Sequence, residues 1–486
     1  MPMKEFLRRL KQLLTNKPKN IKRKQKKMKI YFLGIGGIGM SAIARYCKMR
    51  GDEVFGYDRT RTALTIELEK EGMFINYDDI EQNVPKDMEL CIYTPAIPKD
   101  SKQFNYIQTL GIPMEKRSVA LGHITKDKKV LAVSGSHGKT TTCGMIAHIL
   151  SNSKYGCSAF LGGILKSINN NFIFSKNSEF VVVEADEYDR SFLQLYPFVS
   201  VITAVDEDHM DIYHTYENLY NAFLQFAHQT KDNGLLVVKQ SLKIKNDLPQ
   251  HNFSVQTYSS CESDANNHID NLRIIDGCYH FDYHGTEEVF QDMKMIYPGL
   301  HNVENAVAAL SVCNFALKSI GVEREEREEI LRSGLKSFSG MERRLDFRIR
   351  EKDRVFIDDY AHHPQEIAKT IESLRALYPN EKLTGIFQPH LYTRTRDLAD
   401  DFARSLELLD EVILLPIYPA REEPIEGVDS KLLLDKINSP KKHLTDKNEL
   451  FSLLKMLNPK FLITFGAGDI SFLVPEIEKL LKNDMI

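Results

Sequence analysis

Two glycine-rich stretches and a series of acids and bases at strand ends hold most of the chemistry this chain can do. Gly135-Ser136-His137-Gly138-Lys139-Thr140-Thr141-Thr142 suits a triphosphate. Its backbone N–H groups can ring the phosphates, Lys139 can reach the β and γ oxygens, and the hydroxyl of Thr140 or Thr141 can ligate Mg²⁺. The stretch is a shortened variant of GxxxxGK(S/T), because Gly135 lies only three residues before Gly138 and position 133 is Val. A second stretch, Gly34-Ile35-Gly36-Gly37-Ile38-Gly39, reads as GxGxxG and continues into Met40-Ser41. There Gly34 permits a tight turn, Gly36 lets the backbone approach a diphosphate, and Gly39 allows close helix packing. Asp58, 19 residues after Gly39, is placed to take a ribose hydroxyl. A structural glycine turn can show the same pattern, but the flanking strand and helix favour a bound dinucleotide or nucleotide diphosphate.

The acids collect where apolar runs end. Phe180–Val183 runs into Glu184-Ala185-Asp186-Glu187, and Val199–Val205 into Asp206-Glu207-Asp208-His209-Met210-Asp211. Mg²⁺ takes oxygen ligands, which Glu184 and a threonine hydroxyl supply, with His209 a further or water-mediated contact. Such acids also serve as solvated loop residues or helix N-caps, and Asp186 fits either role. The last third carries Met341-Glu342-Arg343-Arg344-Leu345-Asp346-Phe347, Asp358-Asp359-Tyr360-Ala361-His362-His363-Pro364, Phe387-Gln388-Pro389-His390 and Tyr392-Thr393-Arg394-Thr395-Arg396-Asp397. Arginines and histidines so placed suit an anion, either a carboxylate substrate or a migrating phosphoryl group. His363, just before Pro364, could instead cap the following helix.

These residues need strands to deliver them to one edge and helices to cover the sheets. Strand, glycine loop and helix follow one another from Lys29 and again from Lys129. The last third alternates in the same way and ends with Lys460–Phe465 feeding Gly466-Ala467-Gly468. This alternation predicts an α/β chain of doubly wound, mostly parallel sheets, whose carboxyl edges bind ligands. A length of 486 residues suggests two to four domains, and three segments each open on a strand. We expect a basic extension over 1–28, a nucleotide-sugar domain over 29–122, an ATP-binding domain over 123–340 and a third domain over 341–486.

With 42% hydrophobic and 27% charged residues the chain is globular, and its longest apolar runs are strand-sized, too short to span a membrane. Seven scattered cysteines without a CxxC pair speak against a cysteine metal site and fit a reducing cytoplasm. The net charge of −3 hides an asymmetry, since residues 1–29 hold twelve Lys or Arg against Glu5 alone. In that leader Phe6, Leu10, Leu13 and Leu14 recur at helical spacing, which would suit an anionic membrane surface or nucleic acid. The plainer reading is a solvated tail ahead of Met28. On that reading a chain beginning at Met28 keeps full activity, and lost turnover in it would contradict dispensability.

From about Met28 to the C-terminus the chain resembles the Mur ligases of bacterial peptidoglycan synthesis. The motifs are GIGGIGMSAIA at 34–44, GSHGKTTT at 135–142, EADEYDRSFL at 184–193, DEDHMDIYH at 206–214, HNVENAVAA at 301–309, GMERRLDF at 340–347, DDYAHHP at 358–364 and FQPHLYTRTRD at 387–397. The resemblance implies an N-terminal Rossmann-like domain for a UDP-sugar, a central P-loop-type ATPase, and a C-terminal Rossmann-like domain that closes over the nucleotide. It implies ATP and Mg²⁺ as cofactors, UDP-N-acetylmuramate and L-alanine as substrates, a cytoplasmic monomer or homodimer, and neither nucleic acid nor integral membrane association.

Carried over by residue, the resemblance makes Gly135, Ser136, His137, Gly138, Lys139, Thr140 and Thr141 the ATP loop, with Asn302 and Asn305 on the nucleotide. Thr140, Glu184 and His209 surround magnesium, and Gly34, Gly36, Gly37, Gly39, Met40, Ser41 and Asp58 face the UDP-sugar. Lys139, Arg344, His209 and Asp358 are implied to be catalytic, with Arg344 near the transferred phosphoryl group. Tyr360, His362, His390, Arg394 and Arg396 are the amino-acid and closure elements. Ser136 replaces the family's usual Thr, and no lysine in 210–230 matches the carbamylated lysine of sister ligases.

A murein tripeptide recycling ligase of the same family shares the GxHGKTTT, EADEYD and AHHP motifs. The GIGGIGMSA loop, SFL at 191–193 and the FQPHLYTRTRD run favour alanine addition instead. An NAD(P)-dependent oxidoreductase would leave the second loop without purpose, and a regulatory P-loop ATPase would leave the last third unexplained. The ligase reading predicts that Lys139→Ala abolishes turnover with little effect on folding, and that Arg344→Ala lowers kcat more than affinity.

Overall fold

The computed structural model describes residues 27–420, 422–439 and 441–483, so the helical spacing in the basic leader lies outside the described residues. The chain forms α/β layers around mostly parallel sheets, as the alternation predicts. It divides into two compact units. The first takes the described residues to 273 with 280–295 and 304–338; the second takes 274–279, 296–303 and 339 onward. Among the described residues no helix is long and apolar enough to cross a membrane, and all seven cysteines are free.

The first unit opens with β1 (Lys29–Leu33), β2 (Glu53–Tyr57), β3 (Phe74–Asn76), β4 (Leu90–Tyr93) and β5 (Met114–Lys116), all parallel in the order β3-β2-β1-β4-β5. Ile30 to Leu33 are buried without alternation, as a strand covered on both faces requires. Strand order reverses between β1 and β4, so the glycine loop after β1 opens at a topological switch point. The helix Ile38–Arg50 follows and stops at Gly51, which takes the left-handed φ of 101°.

The second sheet holds β6 (Lys129–Ser134), β7 (Ser158–Leu165), β8 (Asn170–Ile173), β9 (Phe180–Glu184), β10 (Val199–Ile202), β11 (Leu235–Lys239) and β12 (Ser254–Tyr258). Its order is β12-β11-β10-β6-β9-β7-β8, parallel except for the β7–β8 pair. β10 is shorter than the apolar run to Val205 suggests. The Thr203 hydroxyl donates to the Ser134 carbonyl at 3.1 Å and to the His137 carbonyl, which draws the chain off the sheet toward the phosphate loop.

A buried polar knot ties the first two sheets together. Arg45, on the helix Ile38–Arg50, forks onto Glu71 at 2.7 to 3.0 Å and also donates to Asn171 on β8. The Asn171 amide in turn donates to the Ile38 carbonyl at 2.6 Å and to Ser41 Oγ at 3.0 Å. Each polar group here has a partner, which is what makes its burial tolerable. A three-stranded sheet of β13 (His268–Ile275), β14 (Cys278–His284) and β15 (Val289–Met295) follows.

The second unit contains β16 (Asp346–Arg350), β17 (Val355–Asp359), β18 (Leu383–Phe387), β19 (Glu411–Leu414), β20 (Lys442–Leu444) and β21 (Phe461–Phe465) in the order β16-β17-β21-β18-β19-β20. Only the β16–β17 pair is antiparallel. Period-two alternation divides its core into two layers. Phe461, Ile463 and Phe465 pack with Ile367, Ile371 and Phe402, while Leu462 packs with Phe356, Ile413 and Ile477.

Candidate active site

Sheet register delivers the phosphate loop and its acids to one edge. β6 lies between β9 and β10, with Val133 beside Glu184 and Ser134 beside Ile202, so the loop leaves the sheet next to the carboxyl ends of both neighbours. Gly138 sits at φ 83°, and a Cβ there would come within 2.7 Å of the Asn305 amide oxygen. Glycine is thus required both by conformation and by the approach of Asn305. The helix Lys139–Ser151 starts directly after it and turns its N-terminus toward the loop. Ser136 closes the loop against the next segment, its Oγ accepting from the Asp206 N–H at 2.8 Å, while His137 faces Asp206 at 3.5 Å. Thr141 is buried, and Thr140 presents its hydroxyl to Glu184 Oε1 at 3.0 Å.

Lys139 donates to the Gly135 carbonyl at 2.6 Å and to Glu187 Oε1 at 2.7 Å. Glu187 is 1% exposed, and its second oxygen is buried without a hydrogen bond. Burial pushes the Glu187 carboxyl above its ordinary value, moderated by Lys139. Burial works against the Lys139 charge, but Glu187, Asp186 and Glu184 outweigh it and hold the amine above the usual lysine value. This pairing revises the expectation that Lys139 can be removed with little effect on folding, because its loss leaves a carboxylate buried alone.

His209 takes a left-handed φ of 55°, with Nε2 3.8 Å from Glu187 and 3.7 Å from Asp208, and its ring edge packs on Tyr188. Asp186 accepts from Arg117 Nη2 at 3.1 Å, and Lys116 pairs with Asp189 at 3.1 Å. A narrow cleft beside them is lined by Arg117, Ser118, Glu184, Asp186 and Ser191. The donors fit Mg²⁺: a threonine hydroxyl and a carboxylate converge, and hard oxygen ligands are what that ion takes.

At the first glycine loop, the Gly36 N–H donates to Asp58 Oδ2 at 2.8 Å, so Asp58 braces the loop that it follows in sequence. Gly39 makes room for the Arg117 guanidinium, which a Cβ would meet at 2.6 Å. Gly34 turns at φ 83°, and Gly37 precedes the helix at its N-cap. The Met40 and Ser41 side chains are buried, Met40 in the apolar core and Ser41 on the Ile38 carbonyl and Asn171, so neither offers side-chain surface to a ligand.

In the second unit Arg343, Arg344 and Tyr360 form a stack, with the guanidiniums 5.1 and 4.9 Å from the ring centroid. Arg343 also reaches Asp358 at 3.3 Å and the Gly466 carbonyl at 2.6 Å. Asp358 is interior and accepts from Thr464 at 2.7 Å. Tyr360 meets His362 edge-on at 5.1 Å, and the His362 ring lies 6.0 Å from that of His390, which stacks on Tyr418 at 5.7 Å. Burial lowers the His362 imidazole from its ordinary value. Arg394 keeps Nη1 buried without a hydrogen bond, whereas Arg396 points outward to Asp397 at 2.7 Å. Asn302 is buried and donates to the Pro298 carbonyl at 2.6 Å. His363 is the N-cap of the helix Pro364–Leu377, and Glu366 accepts from its N–H at 3.3 Å, as the capping alternative supposes.

Sequence reasoning gave no role to Glu187, Arg117, Thr203 or Asp359. The signal for Glu187 was its place in the acid run 184–187. Asp359 accepts N–H bonds from Leu345 at 2.9 Å and Ala361 at 2.8 Å, yet burial raises its carboxyl to about 6. The folded chain therefore holds that proton more tightly than the unfolded one. The resulting stability is fully present below about pH 4 and is lost as pH rises through about 6. Asp359→Asn is expected to flatten this loss by up to ~1.4 kcal/mol per pH unit. Urea unfolding of both proteins at pH 4, 5 and 6 checks it, and parallel pH dependences would contradict it.

Three family models match in succession: "Mur ligase family, catalytic domain" over residues 29–129, "Mur ligase middle domain" over 133–313 and "Mur ligase, glutamate ligase domain" over 343–468. A UDP-N-acetylmuramate–L-alanine ligase of Parabacteroides distasonis is 44% identical over 457 residues, which cover 93% of this chain and 97% of that one. The crystal structure of a UDP-N-acetylmuramate–alanine ligase from Thermotoga maritima superposes with a TM-score of 0.78 at 27% identity, covering 94% of this chain and 99% of that one. A murein peptide ligase from Psychrobacter arcticus has the same fold, with a TM-score of 0.68 at 19% identity and coverage of 94% and 99%.

Proposed function

The chain belongs to the Mur ligase family, and on that premise we propose that it joins L-alanine to the lactyl carboxylate of UDP-N-acetylmuramate at the expense of ATP. In this reaction a carboxylate oxygen attacks the γ-phosphorus and ADP leaves. The alanine amine then attacks the acyl carbon of the acyl phosphate, inorganic phosphate leaves, and the amine gives up its proton as the amide forms. The observation that carries the reading is the edge where Lys139, the Thr140–Glu184 pair and the Gly135–Gly138 cradle converge.

The work of this chain is to position the reactants and neutralise charge. Backbone N–H groups of the loop hold the phosphates. Lys139 exchanges its bond to Glu187 for the β and γ oxygens. Arg117, at the cleft beside Glu184, is suited to the substrate carboxylate or its phosphoryl group. Arg394, with its buried Nη1 lacking a partner, is suited to the alanine carboxylate. Thr140 and Glu184, with His209, would hold Mg²⁺, which when bound screens the charge of the phosphates. In the second unit Arg344 is assigned to the transferred phosphoryl group.

Gly162 on β7 donates its N–H to Glu184 Oε2 at 3.0 Å, and a Cβ there would lie 2.5 Å from the Glu184 carboxyl carbon. The carboxylate, as the mobile partner, would move aside and leave Thr140. Gly162→Ala is therefore expected to raise the Mg²⁺ needed for half-maximal turnover by roughly 10- to 100-fold while the protein stays folded. An unchanged Mg²⁺ requirement would contradict the placement of Glu184 at the metal.

Phosphate release measured with ATP, Mg²⁺ and UDP-N-acetylmuramate, adding L-alanine or the murein tripeptide in separate reactions, tests the function. The reading requires release that depends on both the sugar nucleotide and L-alanine, with a product heavier by one alanyl residue. Release only with the tripeptide would transfer the chain to the recycling activity, and release without any sugar nucleotide would reduce it to an ATPase. The 44% identity to the Parabacteroides enzyme supports alanine addition; the likeness to the murein peptide ligase is one of fold.

A further inference from the structure

His268 opens β13, His284 closes β14, and Asp270 stands two residues into β13. The two imidazoles stack face to face, with centroids 4.7 Å apart and planes 8° from parallel. His284 Nε2 lies 3.2 Å from Asp270 Oδ2, and one ligand atom from each of the three residues can be chosen so that all lie within 4.8 Å of one another. His268 Nδ1 is 2.9 Å from the Ala265 carbonyl. A carbonyl can only accept, so Nδ1 carries the hydrogen and the neutral ring keeps its Nε2 lone pair free. A backbone carbonyl that fixes the tautomer in this way is the usual support of a metal-binding histidine. No step of the ligation uses any of the three.

We propose that His268, Asp270 and His284 form a site for a divalent transition-metal ion of the zinc class. Two imidazoles and one carboxylate are a borderline donor set that suits Zn²⁺ or Co²⁺ and is poor for Mg²⁺. Ligand atoms around a tetrahedral Zn²⁺ with bonds of about 2.0–2.1 Å lie roughly 3.3 Å apart. The His284–Asp270 edge already has that length; the two rings, 8° from parallel, must tilt so that their in-plane lone pairs meet at the ion, a movement open to partly exposed side chains. Asp270 is 52% and His284 29% exposed, which leaves an entry path and room for water as the fourth ligand. The turn between the strands, Asp276-Gly277, is left-handed at both residues, with φ 51° and 70°. The ion would therefore clip the hairpin at the end opposite its turn.

The test is Co²⁺ titration of the full chain without nucleotide, in excess Mg²⁺ so that the phosphate-loop acids are occupied. One equivalent of Co²⁺ is expected to give the visible absorption of a four-coordinate ion, displaced by one equivalent of Zn²⁺. His284→Gln and Asp270→Asn should each lose the band and weaken Zn²⁺ binding by more than about 10-fold. Zn²⁺ should also raise the Tm of the parent protein and not of the variants. Should His284→Gln fail to fold, Asp270→Asn decides alone, since its carboxylate is half exposed. The same band in both variants would place the ion elsewhere, and no binding up to about 1 mM metal would abolish the site; either result overturns the proposal.

Discussion

Lys139→Ala is expected to remove ligation and, in the same step, to cost roughly 3 kcal/mol of stability. The first effect follows from the loop, where no other side chain of 135–142 carries a fixed positive charge to the β and γ oxygens. The second follows from Glu187, which is 1% exposed and relies on the 2.7 Å bond from Lys139. Without that partner Glu187 must either stay charged in the interior or take up a proton, and its already raised pKa shows the direction it would take. Lys139→Ala/Glu187→Gln should recover most of the stability and none of the turnover. Urea unfolding with phosphate-release assays on the parent, the single and the double variant separates the effects. A double variant as unstable as the single one would contradict the buried-pair account, and an active Lys139→Ala would remove the loop from the mechanism.

Arg343→Ala is expected to act chiefly on stability and Arg344→Ala chiefly on turnover, although the residues are neighbours and the Arg344 charge also offsets the burial of Asp359. Arg343 is committed to structure through Asp358, the Gly466 carbonyl and the Tyr360 ring. Its removal leaves Asp358 buried with Thr464 as its remaining partner, at a cost of about 2–3 kcal/mol. Arg344 lies over Tyr360 at 4.9 Å, and its own backbone carbonyl accepts from Tyr297 Oη, so the main chain holds its place while the guanidinium stays near the ring face. Arg344→Ala should lower kcat by ~10²–10³ and leave both nucleotide KM values within about threefold, because a contact to developing charge counts chiefly in the transition state. Steady-state kinetics and unfolding of both variants check the contrast. An Arg344→Ala effect confined to KM would contradict its phosphoryl role.

What the sequence disclosed and what it concealed divide by range. The phosphate loop is legible because strand, glycine turn and helix are consecutive, and Glu184 is legible because an apolar run ends on it. The His363 cap is also local, since Pro364 and Glu366 lie within three residues. The pairing of Lys139 with Glu187, 48 residues away, depends on β6 lying beside β9, and no local pattern states that adjacency. The same holds for Thr203, which ends β10 early by bonding carbonyls 66 and 69 residues back. Asp58 was readable as a ligand for ribose; its bond to the Gly36 N–H is visible only once β2 lies beside β1. In the Asp358-Asp359 pair the sequence shows two acids at a strand end, while the fold buries both inside β17 and spends their oxygens on Thr464, Arg343, Leu345 and Ala361.

The most direct measurement is the fate of oxygen from the lactyl carboxylate. UDP-N-acetylmuramate labelled with ¹⁸O in that group is incubated with ATP, Mg²⁺ and L-alanine, and the inorganic phosphate is analysed by mass. Activation through an acyl phosphate predicts one labelled oxygen in each phosphate released, together with an alanylated product that keeps the other. Unlabelled phosphate alongside that product would contradict activation at the carboxylate, and with it the role given to the phosphate loop.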